Sequence, residues 1–457
     1  MRLSPDRAAL LGGSALLAGA CFLPDLELEG RPCPCASGYT CDEATQTCHG
    51  DPTSTSTGTA GAPAGGGGAG AMNAGGEGGG GASAGGGGAS TGGGGEGGGV
   101  VVTARPLILA GSIASSISLS VTGSFTIDAD ATTHWQFGRW FDTAADPAVD
   151  LAGEYPGTYS SFLLDTMQTE DAVHGWTSCD DGAVVDVELI DQTPVRVGLT
   201  SSTDYLLPNL RSATTYWVYA NGRIAITSAM VNTSPSDPLQ LLDSEYHYTT
   251  VSTDLGWSAT AVDLSHSAVF LRTDGPEPAS ILQIVNFNAE TGLYGDYANE
   301  NRYWQSGAQS LAPMDSLRRT GALLLGPGGL DLGQLDQRSK DLRAPSLEIV
   351  SGAAPVGPGY DPSLGAYVVT ASATTVELAV SADRKRFSPA FVVRGWDEAT
   401  WSISLNGETL VADDLLVGHD ALAYYDDAQN ELVFLYLGDI EAGAFDAERI
   451  FTLQAGP

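Results

Sequence analysis

From Val101 onward the chain alternates apolar and polar residues. Ile117, Leu119 and Val121, then Phe125 and Ile127, take every second place through Ser116–Asp128, the period of strands with one buried face. Tyr216–Ile226 repeats the pattern on either side of Asn221-Gly222, and Asn-Gly between alternating runs is the strongest short hairpin signal. Further strands are expected at Val184–Ile190, Val195–Leu199, Ser267–Arg272 and Ile281–Phe287. Gly326–Gly329 and the polar run to Pro345 read as a boundary. Beyond it the pattern resumes at Tyr367–Ala371, Thr375–Val380, Ala390–Arg394, Trp401–Leu405, Leu422–Tyr425 and Glu431–Leu437. A second Asn-Gly, Asn406-Gly407, and the turn Asp426–Asn430 punctuate this region. Helical periodicity is scarce, with short candidates at Leu163–Met167 and Pro313–Arg319. Many short strands with frequent turns predict an all-β protein. A large antiparallel β-sandwich is expected over 103–340, followed by a smaller β-sandwich over 345–457.

Before Val101 the alternation vanishes. Residues 51–102 are mostly glycine with Ser, Thr and Ala, too little apolar surface to offset the entropy of ordering. This Gly-rich linker is expected to be disordered, with a reach of ~40 Å. Gly81-Ala82-Ser83-Ala84-Gly85 fits the G-x-S-x-G elbow, but that motif needs a strand before it and a helix after it. Neither flank is present here, so the match is discarded.

Residues 1–20 read as a signal peptide: Arg2 and Arg7, then an apolar run from Ala8 to Ala20 too short to cross a bilayer. Leu17-Ala18-Gly19-Ala20-Cys21 resembles a bacterial lipoprotein box, which implies lipidation of Cys21, a membrane partner through that anchor, and residence at the outer membrane or cell surface. The family's large aliphatic usually stands three residues before the cysteine, where this chain has Ala18. Ordinary cleavage after Ala18-Gly19-Ala20, with secretion, is the alternative. Cys33, Cys35, Cys41 and Cys48 form an even set in a short exported segment (21–50) and read as a framework of two disulfides with three pairings open. A zinc site is the alternative. The run Cys35–Cys48 resembles small Cys-rich modules that follow lipoboxes in bacteria of the myxobacterial type. Cys179 is left over and reads as a buried thiol.

Charge narrows the partners. The chain carries 55 acids and 20 bases, a net −35, which argues against nucleic acid and against anionic lipid head groups. No H-E-x-x-H, P-loop or EF-hand loop occurs. No cofactor is expected, except that Asp180-Asp181, Asp413-Asp414 and Asp426-Asp427 could take calcium; otherwise such pairs are solvated turns.

His134–Asp142, Tyr159–Asp165, Gly222-Arg223-Ile224, Glu245–Tyr248 and Asn301–Trp304 together resemble extracellular bacterial β-sandwiches of the supersandwich type, found near lectin-like domains and polysaccharide lyases. The resemblance implies a glycan partner. Three functions compete: carbohydrate binding at a cell surface, a secreted lyase or other carbohydrate-active enzyme, and a structural or adhesive role. A lyase needs a base and a group that neutralises a uronate carboxylate. Tyr246, His247, Asn301, Arg302 and Tyr303 are the right types, although strand alternation separates Tyr246 from His247 unless a bulge intervenes. An epimerase-like arrangement would draw on His247, His266 and Glu245. For binding, Trp135, Trp140 and Trp304 are the candidate sugar platforms; core packing is the alternative for each.

Overall fold

A computed structural model describes residues 39–42, 47–50, 105–143, 150–151, 168–178, 182–250, 257–263, 267–272, 279–285, 292–294, 301–327, 332–343, 346–380, 385–397, 400–412, 421–440 and 450–456. The expectations for the signal peptide, Cys21, Cys33, Cys35, the Gly-rich linker, the helix at Leu163–Met167, Cys179, His266 and the first two acid pairs lie outside these residues. The chain divides into two units, the first ending at Gly94. In it, Tyr39–Asp42 and Thr47–Gly50 form an antiparallel pair in which Cys41 lies opposite Cys48.

The second unit is all-β. Its middle is an eight-stranded sheet. In spatial order the strands are Trp257–Asp263, Ser267–Arg272, Ala279–Val285, Ser316–Pro327, Arg223–Asn232, Leu210–Tyr219, Arg196–Asp204 and Ala183–Gln192. The Asn221-Gly222 turn joins two of them in the expected register, Val218 opposite Ile224.

Cross-strand rows explain why the sheet is covered on both sides. Val197, Val218, Ile224 and Leu323 lie side by side and share one face, since directly paired residues point the same way. A four-stranded meander covers that face, built from Leu107–Ser112, Ser116–Val121, Phe125–Asp130 and Phe137–Asp142. Phe137 meets Tyr216 edge-on at 5.2 Å, and Trp140 meets Trp257 at 5.8 Å.

The opposite face carries Arg196, Trp217, Tyr219, Arg223 and Ala225. Part of it is covered by a five-stranded sheet of Ala353–Asp361, Ala366–Ala371, Ala390–Arg394, Glu431–Tyr436 and Ala421–Asp426. Ala366, Val368, Val392, Val433 and Leu435 pack in one cluster with the eight-stranded sheet. The alternate residues Tyr367, Val369, Phe391, Leu432 and Phe434 pack against a second five-stranded sheet, with Phe391 stacked on Phe434 at 4.4 Å. One pair in the inner sheet, Ala366–Ala371 with Ala390–Arg394, is parallel. The layers therefore run meander, eight-stranded sheet, inner sheet, outer sheet.

Two local expectations are corrected. Pro313–Arg319 is not helical: Met314 sits in a turn at φ 61°, and Ser316–Pro327 is a strand hydrogen-bonded on both sides. Pairing with two neighbours overrides local propensity there. The polar run read as a boundary contains helix α1, Leu332–Arg343. Leu335, Ser339 and Leu342 fall on one helical face and are buried, with the two leucines packed against Leu282 and Ile284 of the eight-stranded sheet.

The turn before Ala366–Ala371 brings Gly365 close against the eight-stranded sheet. Its φ is +66°, and a β-carbon there would lie 2.8 Å from the Ala225 Cβ. Gly365→Ala is expected to lower stability by roughly 1–3 kcal/mol through strain and crowding, read as a shift of the urea midpoint. An unchanged midpoint would show that the two layers do not close on that glycine.

Candidate functional site

A separate five-stranded sheet holds the residues singled out for chemistry. Its order is Gly292–Tyr294, Asn301–Ser306, Asp243–Thr250, Gln168–Asp171 and Gly175–Ser178. One row across it, Ser306–Ser244–Thr169–Thr177, consists entirely of hydroxyl residues. Thr169 Oγ1 donates to the Asp243 carbonyl at 2.7 Å and lies 3.0 Å from Ser244 Oγ. Thr169, Ser244 and Thr249 are fully buried, and Thr177 and Asp171 nearly so. That face is turned inward. On the other face Trp176 is 43% exposed, next to Glu170, its cross-strand partner.

The register of the two central strands changes partway along. Tyr246 pairs with Trp304, but Thr249, three residues on, pairs with Arg302, only two residues back. His247 and Tyr248 together therefore oppose Tyr303. Two residues facing one is the geometry of a bulge, which bends the strand and re-aims side chains and recurs next to active sites. The slip falls at the His247 position.

Pairing and alternation then sort the candidates. Tyr246, Arg302 and Trp304 take positions on the inward face, in line with Ser244 and Thr249. Asn301 and Tyr303 take positions on the outward face, as does Tyr294, which pairs with Tyr303. His247 sits in the slip opposite Tyr303. The register thus sets the slip at His247 opposite Tyr303, with Asn301 paired to Thr250 further along the same two strands. Glu245 is also on the outward side of the bulged strand and is buried.

Trp135 and Trp140 are elsewhere. Both are within the core, 4% and 2% exposed. Asp130 explains the turn that carries Trp135 inward. Its carboxylate accepts from the amides of Thr132 (2.8 Å) and Thr133 (3.2 Å) while its own amide donates to Thr133 Oγ1. This capping box hands the chain to His134 and Trp135, both at positive φ. The ring faces of these two tryptophans are spent on packing. Among the other described tryptophans, Trp257, Trp396 and Trp401 are also buried, so Trp176 stands apart by exposure. Its sequence context, the short strand Gly175–Ser178, carries no period that would have distinguished it.

Among the described residues, no group of three His, Cys, Asp or Glu side chains converges to hold a metal ion. Of the three acid pairs, only Asp426-Asp427 is described, and the Asp426 carboxylate accepts from the amides of Ala428 and Gln429, the work of a turn residue.

The hairpin beside Trp176 is set by a carboxylate. Asp171 accepts from the amides of Val173 (2.7 Å) and His174 (3.0 Å) and lies 3.0 Å from His174 Nδ1. Burial alone would raise its pKa, but these hydrogen bonds and the His174 ring hold it below the usual carboxylate range. A depressed folded-state pKa contributes stability above the unfolded value of about 3.9 and loses it as pH falls through the folded one. Asp171→Asn should therefore lower the urea midpoint at pH ~7, with the gap to wild type closing as pH falls below ~4. A gap that stays constant across that range would rule out the carboxylate as its source.

No known protein family matches the chain, and no curated protein does. Solved structures with some likeness include a Klebsiella pneumoniae protein assigned as an aldose 1-epimerase, at 10% identity and TM-score 0.33, spanning 50% of this chain and 84% of that one. A polysaccharide lyase matches at 10% identity and TM-score 0.33, over 72% of this chain and 45% of its own. A heparan sulfate lyase from Pedobacter heparinus matches at 9% identity and TM-score 0.31, over 60% and 39%. All three are named for carbohydrate chemistry; likenesses at this level leave the chemistry of this chain to its own residues.

Proposed function

We propose that the chain is an exported, membrane-tethered glycan-binding protein and that the outward face of the five-stranded sheet is where the glycan sits. The observation that supports this furthest is Trp176, 43% exposed on the outward face of a sheet whose central strand slips register at His247. Sugars present apolar C–H faces and a rim of hydroxyls, so a site for them combines exposed aromatic rings with polar groups at the margins. Trp176 and the bulge are separated by two strand spacings and four residues along the strand, roughly 16 Å. That span suits an oligosaccharide better than a single sugar. The excess of acids over bases disfavours a polyuronate and favours a neutral glycan.

Lipidation of Cys21 and the glycine-rich linker complete the reading: an anchor, a flexible arm, and a domain free to reach a partner in any orientation. A second reading, lyase chemistry, draws on the same pair of strands, which carry Tyr246, His247, Asn301, Arg302 and Tyr303.

Three measurements test this. On a glycan array the protein should bind, and Trp176→Ala should weaken binding roughly tenfold, the loss expected from ~1.4 kcal/mol of stacking. An absorbance assay for unsaturated uronate on any polyuronate bound should stay flat; turnover abolished by His247→Ala with the fold intact would replace binding with catalysis. Silence in both assays would favour a structural or adhesive role. For the anchor, Cys21→Ser should move the protein from the membrane to the soluble fraction, and a wild type that is already soluble would sink the lipoprotein assignment.

A further inference from the structure

A second site, unrelated to the glycan face, lies where the eight-stranded sheet, α1 and the strand Arg386–Phe387 meet. There is a cavity of about 160 Å³, lined among others by Asn221, Arg223, Ser280, Arg338, Phe387 and Ser388. Arg223 is 2% exposed. Its Nη1 donates to the Gly365 carbonyl (3.1 Å), and its Nη2 to those of Phe387 (2.8 Å) and Ser388 (3.0 Å). Its Nε is buried and has no acceptor. Arg338, on α1, lays its guanidinium over the Phe387 ring at 4.7 Å, and its Nε is likewise buried without an acceptor.

Neither arginine has a carboxylate at ion-pair distance among the described residues. The two nearby acids are already committed: Asp341 to Arg386 at 2.8 Å and Asp439 to Lys385 at 3.1 Å. Arg223 and Arg338 thus stand without an ion-pair partner among the described residues, in a chain whose acids outnumber its bases. Buried charges are ordinarily paired, and a pair of guanidinium groups with unspent N–H donors matches the planar, forked recognition of oxyanions. Burial presses the Arg338 pKa below its usual value; Asp439 opposes this and the neighbouring Arg223 charge adds to it. An anion between the two would relieve that strain.

We propose that this cavity binds a small oxyanion, a sulfate, phosphate or carboxylate group, held between Arg223 and Arg338 by their free Nε–H donors. Asn221 stands at the same cavity; its Nδ2 makes one long bond, 3.5 Å to the Ser388 carbonyl, which leaves an N–H for a remaining oxygen. Any such ligand crosslinks the sheet, α1 and the C-terminal layers, so it stabilises the whole fold. The site is independent of the glycan reading and stands or falls without it.

The test is thermal unfolding of the full chain with sodium sulfate, sodium phosphate or sodium glucuronate, each against sodium chloride at matched ionic strength. The wild type should show a saturable rise in Tm of roughly 2–4 °C at a hundredfold excess over Kd. The three salts separate a free inorganic ion from a carboxylate carried on a sugar. Arg338→Gln, at a half-buried position that tolerates the change, should abolish the saturable part and leave Tm in chloride equal or higher, since it removes an uncompensated cation. Arg338→Lys should recover only part of the shift, lacking the fork. Sulfate and phosphate also stabilise proteins non-specifically, so the criterion is the difference between wild type and Arg338→Gln. An equal shift in both, or none in the wild type beyond chloride, overturns the proposal.

Discussion

Burial of one sheet on both faces is the constraint on which the rest of the second unit depends. An antiparallel sheet with one wet face can leave polar side chains there at no cost. The eight-stranded sheet has no such freedom where the C-terminal layers and α1 lie on it. The polar residues on that face, Arg196, Tyr219 and Arg223, have to find partners across the junction. Tyr219 donates its hydroxyl to the Leu364 carbonyl, and Arg196 reaches both Asp191 and Glu431 while lying over Trp217. Arg223 takes three carbonyls at once. These contacts turn two stacks of sheets into one body and fix where the C-terminal layers sit. Arg223 is nonetheless left with a donor to spare, as is Arg338 beside it, and that is the demand the proposed oxyanion would meet at the seam.

Most strands were legible because one face of each is apolar and the other is not. Thr375–Val380, Ala390–Arg394 and Trp401–Leu405 coincide with the observed strands, and Asn406-Gly407 turns the chain where its chemistry says it should. What alternation could not reveal is which layer each face meets. Val368 and Val369 look alike in sequence but pack in different clusters. The helix was hidden for a related reason. Of the four buried residues of α1, only Leu335 and Leu342 are apolar, the others being Ser339 and Asp341, so its apolar stripe is too thin to stand out in a run that also follows Gly-Pro-Gly-Gly.

The candidate site was legible in part. The residue types at 245–248 and 301–304 stood out, and strand alternation raised the question of a bulge, which the register slip there answers. The position of the slip cannot be read from the sequence, because register is set by pairing between strands about fifty residues apart. The tryptophans were the harder case. Trp135 and Trp140 sit in an aromatic-rich phrase that reads as a platform, yet Asp130 caps the turn before them and folds that phrase inward. Trp176 has plainer surroundings and keeps its ring in water.

The position of the Ser316–Pro327 strand governs the order in which the molecule can be assembled. It lies between Ala279–Val285 and Arg223–Asn232, so the two halves of the eight-stranded sheet share no ladder until it arrives. A chain emerging N-terminus first leaves the Arg223–Asn232 edge unpaired while residues 233–315 are delivered, joined by a second open edge once Ala279–Val285 has emerged. Closing the gap means pairing segments about ninety residues apart, the non-local contact that slows folding and leaves edges open to other chains. The C-terminal layers, which rest on the sheet that this keystone strand closes, have no finished surface to dock on before it is in place.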